Sequence, residues 1–386
     1  MSAITIDNDL VHYEVLGRGR PVILVHGWLS SWRYWIPTMQ QLSMKYRTYA
    51  LDLWGYGDSG KNPERFSLEA HVKLLDDFME KMGIPKAALI GHSLGAAVVI
   101  RYALQRPERA ARLMAISAPV FEITPGDGPA AAQETPATPG ADQPTPAPPT
   151  QSAATPPAAP ATDHTGNPSP AGGSGAPAEA AGGEATQPVE PASPPPPPFA
   201  APTVPRRPPA LDVGLGEQTP PPEIAIGPQD VPQAEANASP AKAANNPLRA
   251  RLVGADARQL LERFLSREVP DFDKLGLEAA KTAPTALAAS ALSFDGVELA
   301  HDVRRLGNPT LLVHGEKDAF LPPPSRRLID FLARDKGDFR CVIWPETNHF
   351  PMLDDPSAFH RLVMDFLEIA DLDDLEFKER WVRKVR

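Results

Sequence analysis

The chain has 386 residues, a formal charge of −10 at pH 7 and a single cysteine, Cys341, which excludes an internal disulfide. The acidic balance argues against a nucleic-acid-binding surface, because such surfaces concentrate Lys and Arg. No apolar run approaches the roughly 20 residues needed to span a bilayer, and the first twenty residues lack a secretory pattern, so we expect a cytoplasmic protein without a transmembrane segment.

Proline is distributed unevenly along the chain. Of the 47 prolines, 32 fall within residues 122–247, which also contain the run Pro194 to Pro198. This stretch has few branched or aromatic apolar side chains to offset the entropy of ordering a chain, so we expect a disordered Pro/Ala-rich insertion. The remaining residues suffice for one well-packed α/β domain.

Short apolar runs that end in glycine-rich or polar turns predict eight strands. Most of these runs have the composition of buried strands, and segments with helical periodicity lie between them. This alternation is typical of a mostly parallel sheet covered by helices on both faces. In chain order the predicted strands are Ser2 to Asp7, Leu10 to Leu16, Pro21 to Val25, Arg47 to Leu53, Lys86 to Ile90, Arg112 to Ala118, Pro309 to Val313 and Phe339 to Trp344.

Apolar residues at three- and four-residue spacing predict the helices between these strands. One apolar face runs from Leu68 to Met82, and another runs from Phe359 to Leu367. The latter helix should begin at Asp355-Pro356, as an acidic N-cap followed by a first-turn proline. After the insertion, two helical segments are expected, at Ala250 to Arg267 and Phe272 to Leu292.

The pentapeptide Gly91-His92-Ser93-Leu94-Gly95 lies between a predicted strand and a predicted helix. Glycines two residues away on each side of a serine allow the strand and helix backbones to approach closely, which exposes the hydroxyl on a strained turn. A serine hydroxyl is a weak nucleophile at neutral pH and needs a base that is oriented by a third group. Ser93 is therefore the candidate nucleophile.

Two later residues complete the pattern in the required order. Asp318 follows the strand that ends at Val313, and His349 follows the next strand. The carboxyl ends of parallel strands share one sheet edge, so a serine, an acid and a histidine after successive strands can meet there. We predict His349 as the base and Asp318 as the residue that orients it.

The oxyanion that develops in acyl transfer needs two preorganised donors. The backbone N–H of Leu94 follows the nucleophile at a helix N-terminus. The second donor should come from the loop His26-Gly27-Trp28, where we favour the N–H of Trp28 over that of Leu29. His92 should point away from Ser93 and provide structural support. Asp52, in a glycine-rich loop that fits no phosphate-binding fingerprint, should make structural hydrogen bonds.

These motifs together resemble the α/β-hydrolase superfamily, in its serine-nucleophile, esterase- or perhydrolase-like branch. The resemblance covers the whole chain outside the insertion and implies a helical cap over the site. The expected organisation is an N-terminal core at 1–121, the insertion at 122–247, a reduced cap at 248–300, a C-terminal core at 301–371 and a tail at 372–386.

The resemblance also separates branches of the superfamily. Epoxide hydrolases and haloalkane dehalogenases of this fold use an aspartate nucleophile, whereas this chain has Ser93. Epoxide hydrolases further use cap tyrosines, but the last tyrosine here is Tyr102. Hydrolases that cleave carbon–carbon bonds keep a serine, and their oxyanion loop is usually richer in glycine and proline than Gly27 to Ser31. They stay open as an alternative.

The expected activity is hydrolysis of a small or medium apolar carboxylic ester through an acyl-enzyme, without a metal or cofactor. Trp32, Phe320 and Phe350 are the candidate pocket residues, because they fall in loops at the catalytic edge. An acyltransferase of the same fold is a second alternative. A third is a scaffold protein whose proline-rich insertion binds a protein partner, since such runs suit aromatic-lined grooves.

Overall fold

The computed structural model describes residues 2–122 and 246–375. Within these residues, eight strands form one sheet in the order β1-β2-β4-β3-β5-β6-β7-β8. The strands are β1 (Ser2–Ile6), β2 (Asp9–Gly17), β3 (Arg20–Val25), β4 (Tyr46–Leu51), β5 (Ala87–His92), β6 (Ala110–Ile116), β7 (Thr310–Gly315) and β8 (Phe339–Trp344). All eight predicted strands are confirmed, with ends shifted by at most two residues.

The sheet is antiparallel at one edge and parallel elsewhere. β1 pairs with β2 and β2 with β4 in antiparallel register. The other six strands pair in parallel, in the order β4-β3-β5-β6-β7-β8. Every residue of β5 and β7 is buried. Strands covered on both faces need apolar side chains on both faces, which explains their near-continuous apolar runs. The carboxyl ends of the parallel strands therefore share one edge.

Eleven α-helices lie within the described residues. They are α1 (Ile36–Leu42), α2 (Leu68–Lys81), α3 (Leu94–Gln105), α4 (Pro247–Leu252), α5 (Ala257–Phe264), α6 (Phe272–Ala279), α7 (Ala286–Leu292), α8 (Leu299–Arg305), α9 (Arg326–Ala333), α10 (Pro351–Asp354) and α11 (Pro356–Glu368). The predicted start of α11 is confirmed, since the Asp355 side chain accepts a hydrogen bond from the Ala358 N–H. None of these helices is long and apolar enough to cross a membrane.

The two helical segments expected after the insertion are each broken into two helices, so that prediction was wrong in detail. Gly254 has a φ of +77°, and Asp256 caps the next helix by accepting from the Gln259 N–H. These two features end α4 and start α5. Pro284 separates α6 from α7, because a proline in a helix interior removes a hydrogen bond and clashes with the preceding turn.

The predicted insertion and the predicted tail fall largely outside the described residues, at 123–245 and 376–386. Their expected disorder and the domain boundaries drawn from it therefore stay predictions. β6 and β7 flank the insertion in sequence and pair directly in parallel, from Leu113 with Thr310 to Ile116 with Val313. The sheet is thus continuous across the insertion point.

Candidate active site

Ser93 occupies the sharp turn between β5 and α3. Its φ of +58° and ψ of −115° lie in a region that L-residues rarely adopt. The flanking glycines make the turn possible. A Cβ at Gly91 would collide with the carbonyl oxygen of Gly95, and a Cβ at Gly95 would collide with that of Val25. The sharp strand-to-helix turn expected at Ser93 is thus present in the backbone.

Ser93, His349 and Asp318 form a hydrogen-bonded chain. The Nε2 of His349 lies 3.1 Å from the Oγ of Ser93, and its Nδ1 lies 2.8 Å from the Oδ2 of Asp318. A carboxylate can only accept, so Nδ1 carries the hydrogen and Nε2 presents a lone pair to the serine hydroxyl. The exposed fractions are 0% for Ser93, 1% for His349 and 3% for Asp318.

The carboxylate of Asp318 is held ionised by its surroundings. Burial alone would raise its pKa, but the nearby His349, the hydrogen bond from that ring and the N–H of Leu321 together lower the pKa below 3.8. Its second oxygen accepts from the N–H groups of Phe320 and Leu321, at 2.9 and 2.8 Å. These bonds fix the carboxylate plane and leave Oδ2 for His349.

The loop after β3 lies directly against Ser93. A Cβ built on Gly27 would stand 2.5 Å from the Ser93 Cβ and 3.1 Å from its Oγ, so only glycine fits there. The N–H groups of Trp28 and Leu94 have no hydrogen-bond acceptor among residues 2–122 and 246–375. Two unpaired N–H groups on the elements that flank Ser93 match the donor arrangement expected of an oxyanion hole.

His26 determines the direction of the Trp28 N–H. Its Nε2 accepts from the N–H of Leu53 at 2.9 Å, so its Nδ1 carries the hydrogen and donates to the Gly27 carbonyl at 2.8 Å. The Gly27–Trp28 peptide is planar and trans, so fixing its C=O also fixes the opposite N–H. Burial lowers the pKa of His26, which keeps the ring neutral.

The three predicted pocket residues take different positions. The Phe320 ring lies 4.8 Å from that of His349. The Phe350 ring is fully buried and packs at 4.9 Å on His92 and at 5.1 Å on His349. Trp32 packs at 5.6 Å on His12 instead, and its N–H donates to Asp52. These contacts place Trp32 beside the Asp52 loop.

The helices from α5 to α7 cover the site. The indole N–H of Trp28 donates to Ser290 Oγ on α7 at 2.8 Å, and its ring lies 5.6 Å from Phe294, which follows that helix. Phe264, the last residue of α5, packs on Phe320 at 5.2 Å. Neither Phe264 nor Ser290 was singled out from the sequence, because the contact depends on how the helices dock.

Asp52 makes the structural hydrogen bonds expected of it. Its carboxylate accepts from the N–H groups of Trp32 and Asp58 and bonds Nδ1 of His12 at 2.9 Å. His12, Asp52 and Asp58 are also the group among the described residues whose ligand atoms would suit a metal ion. Those atoms already bond one another or, for Asp58, the Lys281 ammonium at 3.0 Å. We therefore assign the cluster to holding this loop.

Comparison with known proteins agrees with this architecture. The sequence pattern that defines the "alpha/beta hydrolase fold" family matches residues 20–137. The chain has the α/β-hydrolase fold. Among the curated relatives of this chain, the mouse (Mus musculus) bifunctional epoxide hydrolase 2 is 35% identical over 124 residues, or 31% of this chain and 22% of the relative. The similarity thus spans less than a quarter of that protein's length.

Solved structures extend the similarity of fold to nearly the whole chain. A meta-cleavage product hydrolase from Pseudomonas fluorescens IP01 superposes with a TM-score of 0.52 at 17% identity, covering 95% of this chain and 97% of that one. A thermophilic esterase from Thermogutta terrifontis superposes with a TM-score of 0.54 at 18% identity, covering 95% and 98%. At such identities the agreement concerns the fold alone.

Proposed function

We propose that this chain is a serine hydrolase that cleaves carboxylic esters through an acyl-enzyme. The observation that carries the proposal is the continuous chain from Ser93 Oγ to His349 Nε2 at 3.1 Å and from His349 Nδ1 to Asp318 at 2.8 Å. A hydroxyl with a base within hydrogen-bond reach, and a carboxylate that fixes the tautomer of this base, is the arrangement that activates a serine.

In this mechanism His349 takes the proton of Ser93 while Oγ attacks the ester carbonyl carbon. The carbonyl oxygen becomes an oxyanion that accepts hydrogen bonds from the N–H groups of Trp28 and Leu94. His349 then gives its proton to the departing alcohol, and the acyl group stays on Ser93. Water, deprotonated by His349, attacks the acyl carbon, and the acid leaves as Ser93 regains its proton. No metal or cofactor takes part.

The surroundings of Ser93 favour an apolar substrate. Phe320 stands against His349, Phe264 against Phe320, and the Trp28 ring lies between Phe320 and Phe294. Aromatic walls of this kind bind apolar groups and penalise an unpaired charge, because a buried charge loses its hydration. We therefore propose esters with small or medium uncharged acyl groups.

Three related activities of this fold are alternatives to ester hydrolysis. One of them fits the site less well, and the other two differ in the bond that is broken or in the acyl acceptor. An epoxide hydrolase would resemble the relatives that carry that name, but the residue at the nucleophile position is Ser93. Cleavage of a carbon–carbon bond and transfer of an acyl group to an alcohol would use the same three residues. Product analysis after incubation with defined substrates distinguishes these reactions from ester hydrolysis.

An active-site probe tests the proposal directly. A fluorophosphonate should label the wild-type chain covalently, and Ser93→Ala should abolish labelling and lower ester turnover by about 10³-fold or more. Ser59→Ala, which removes another buried hydroxyl that bonds the Asp52 carbonyl, is the matched control and should label normally. A folded wild-type chain that reacts with neither the probe nor p-nitrophenyl esters from acetate to decanoate would refute the proposal.

A further inference from the structure

A second hydrogen-bonded chain runs behind Ser93 and links the loop after β3 with the loop of the base. The N–H of Gly27 donates to the hydroxyl oxygen of Tyr34 at 2.6 Å. The same oxygen lies 2.8 Å from Nδ1 of His92, and Nε2 of His92 lies 2.8 Å from the backbone carbonyl oxygen of His349. Tyr34 and His92 are both buried, at 1% and 0% exposed.

The direction of every bond in this chain is determined. The carbonyl oxygen of His349 can only accept, so Nε2 of His92 carries the hydrogen. Nδ1 is then a bare acceptor, and the Tyr34 hydroxyl must donate to it. Burial lowers the pKa of His92 well below 6.5 and raises that of Tyr34 well above 10.0, so the ring stays neutral and the phenol stays protonated.

The two ends of the chain hold backbone groups on which the proposed chemistry depends. Gly27 precedes Trp28, whose N–H is the proposed oxyanion donor. The His349 carbonyl belongs to the residue whose ring is the proposed base, and Ser117 Oγ donates to the same oxygen at 3.2 Å. The intermediate residue, His92, is the direct neighbour of Ser93. The side chains of Tyr34 and His92 therefore connect the loop of Trp28, the loop of His349 and the turn that carries Ser93.

We propose that Tyr34 and His92 are positioning residues that keep the oxyanion loop and the base loop in register with Ser93. This inference rests on the proposed function. Acyl transfer needs reacting atoms at near-contact distances, and a displacement of about 1 Å can cost on the order of 10²-fold in rate. Without these hydrogen bonds, the two loops would be linked by ring contacts such as those of Phe320 with Trp28 and His349, which do not fix a direction.

Nitrogen NMR of the histidine rings tests the hydrogen-bond chain without any turnover. In the full-length wild-type chain labelled with ¹⁵N-histidine, His92 should appear as a neutral ring with hydrogen on Nε2, assigned by the loss of its signals in His92→Gln. Tyr34→Phe should shift the Nδ1 signal of His92. A wild-type His92 that is charged at pH 7 or carries its hydrogen on Nδ1 would overturn the inference, whether or not the protein hydrolyses esters.

Kinetics then separate positioning from general stability. Tyr34→Phe should lower kcat for a p-nitrophenyl ester about 10- to 100-fold and leave KM within about twofold. Tyr102→Phe removes another buried hydroxyl, which bonds Asp76 on α2, and is the matched control that should leave kcat unchanged. Equal kcat values for the two folded variants and wild type would show that the chain is only structural.

Replacements of His92 give an independent comparison. His92→Gln keeps an amide donor close to the position of Nε2, whereas His92→Leu removes it. The Gln variant should therefore retain several-fold more kcat and react several-fold faster with a fluorophosphonate than the Leu variant. Identical rates for both folded variants would contradict a positioning role. If wild type has no esterase activity, the proposed function fails, and the NMR result alone decides the hydrogen-bond chain.

Discussion

The loops at the carboxyl edge of the sheet and the helices α5 to α7 meet over Ser93, and they contribute different kinds of contact. The sheet side, residues 2–122 and 299–375, contains four fully buried histidines whose pKa values are lowered by burial: His26, His71, His92 and His314. The segment from Pro247 to Leu292 contains no histidine and reaches the site mainly through aromatic rings and single hydroxyls.

This difference separates two tasks. Hydrogen bonds with fixed direction hold Ser93, His349, Asp318 and Trp28, so the sheet side specifies where the proposed reaction takes place. The ring contacts of the helical side have no comparable direction and tolerate changes of shape. Substitutions that remove these hydrogen bonds should therefore act on kcat, and substitutions on the helical side should act on substrate choice. Four predictions test this comparison.

The largest effect should come from Asp318→Asn. An amide in place of the carboxylate favours the wrong tautomer of His349, and removes the negative charge that stabilises the protonated ring, so kcat should fall about 10³- to 10⁴-fold with little change in KM. Steady-state kinetics with a p-nitrophenyl ester measure this. Asp302→Asn, at a buried carboxylate paired with Arg101 at 2.8 Å, is the control and should keep wild-type kcat. Comparable losses in both variants would point to a general effect of buried carboxylates.

His26→Leu should have the second largest effect. Without its Nδ1–H the Gly27 carbonyl loses its donor, the Trp28 N–H is no longer held in place, and kcat should fall about 10²-fold. His26→Asn keeps a donor near the position of Nδ1 and should recover part of the rate. The burst of p-nitrophenol at high enzyme concentration reports acylation directly. An unchanged burst rate in the Leu variant would remove Trp28 from the mechanism.

Phe264→Ala tests whether the helical side determines substrate choice. Truncating this ring removes a wall on Phe320, so KM for a preferred ester should rise about 5- to 10-fold while kcat changes by less than threefold. A panel of p-nitrophenyl esters should also shift its optimum toward longer acyl chains. Phe272→Ala is the control, because this half-buried ring on α6 lies against Arg267. An effect on kcat alone would contradict the division between the two sides.

Much of the sheet side could be predicted from the sequence, because its signals are local. Apolar runs fix the strands, the glycines at 91 and 95 mark the elbow, and strand order brings Asp318 and His349 to the same edge. The tautomers of His26 and His92 could not be predicted. They depend on which backbone groups face each ring nitrogen after folding, and no local pattern carries that information.

The helical side was less predictable for a related reason. Gly254 and Pro284 are visible in the sequence, but periodicity alone ran across both of them. The contact between Phe264 and Phe320 joins residues from separate elements. Trp32 follows the loop residues that line the site, yet its backbone N–H is drawn to the carboxylate of Asp52. Tertiary packing decides such positions.

The smallest effect on activity, and a distinct effect on stability, should come from His71→Leu. Burial lowers the pKa of His71 to about 3, with a smaller contribution from His26, against 6.5 in an unfolded chain. Between pH 6.5 and 3 the unfolded chain binds a proton that the folded protein does not, so stability falls as pH falls through this window. Leucine removes this dependence.

Urea unfolding at pH 7 and 4.5 measures this linkage. The loss of unfolding free energy between these pH values should be smaller in His71→Leu than in wild type, by about 2 kcal/mol. kcat at pH 7 should stay within twofold of wild type, because His71 lies on α2 and contacts the Tyr56 ring. His301→Leu, at a partly exposed position on α8, is the control. Equal pH dependence in His71→Leu and wild type would show that burial does not hold His71 neutral at an energetic cost in the folded protein.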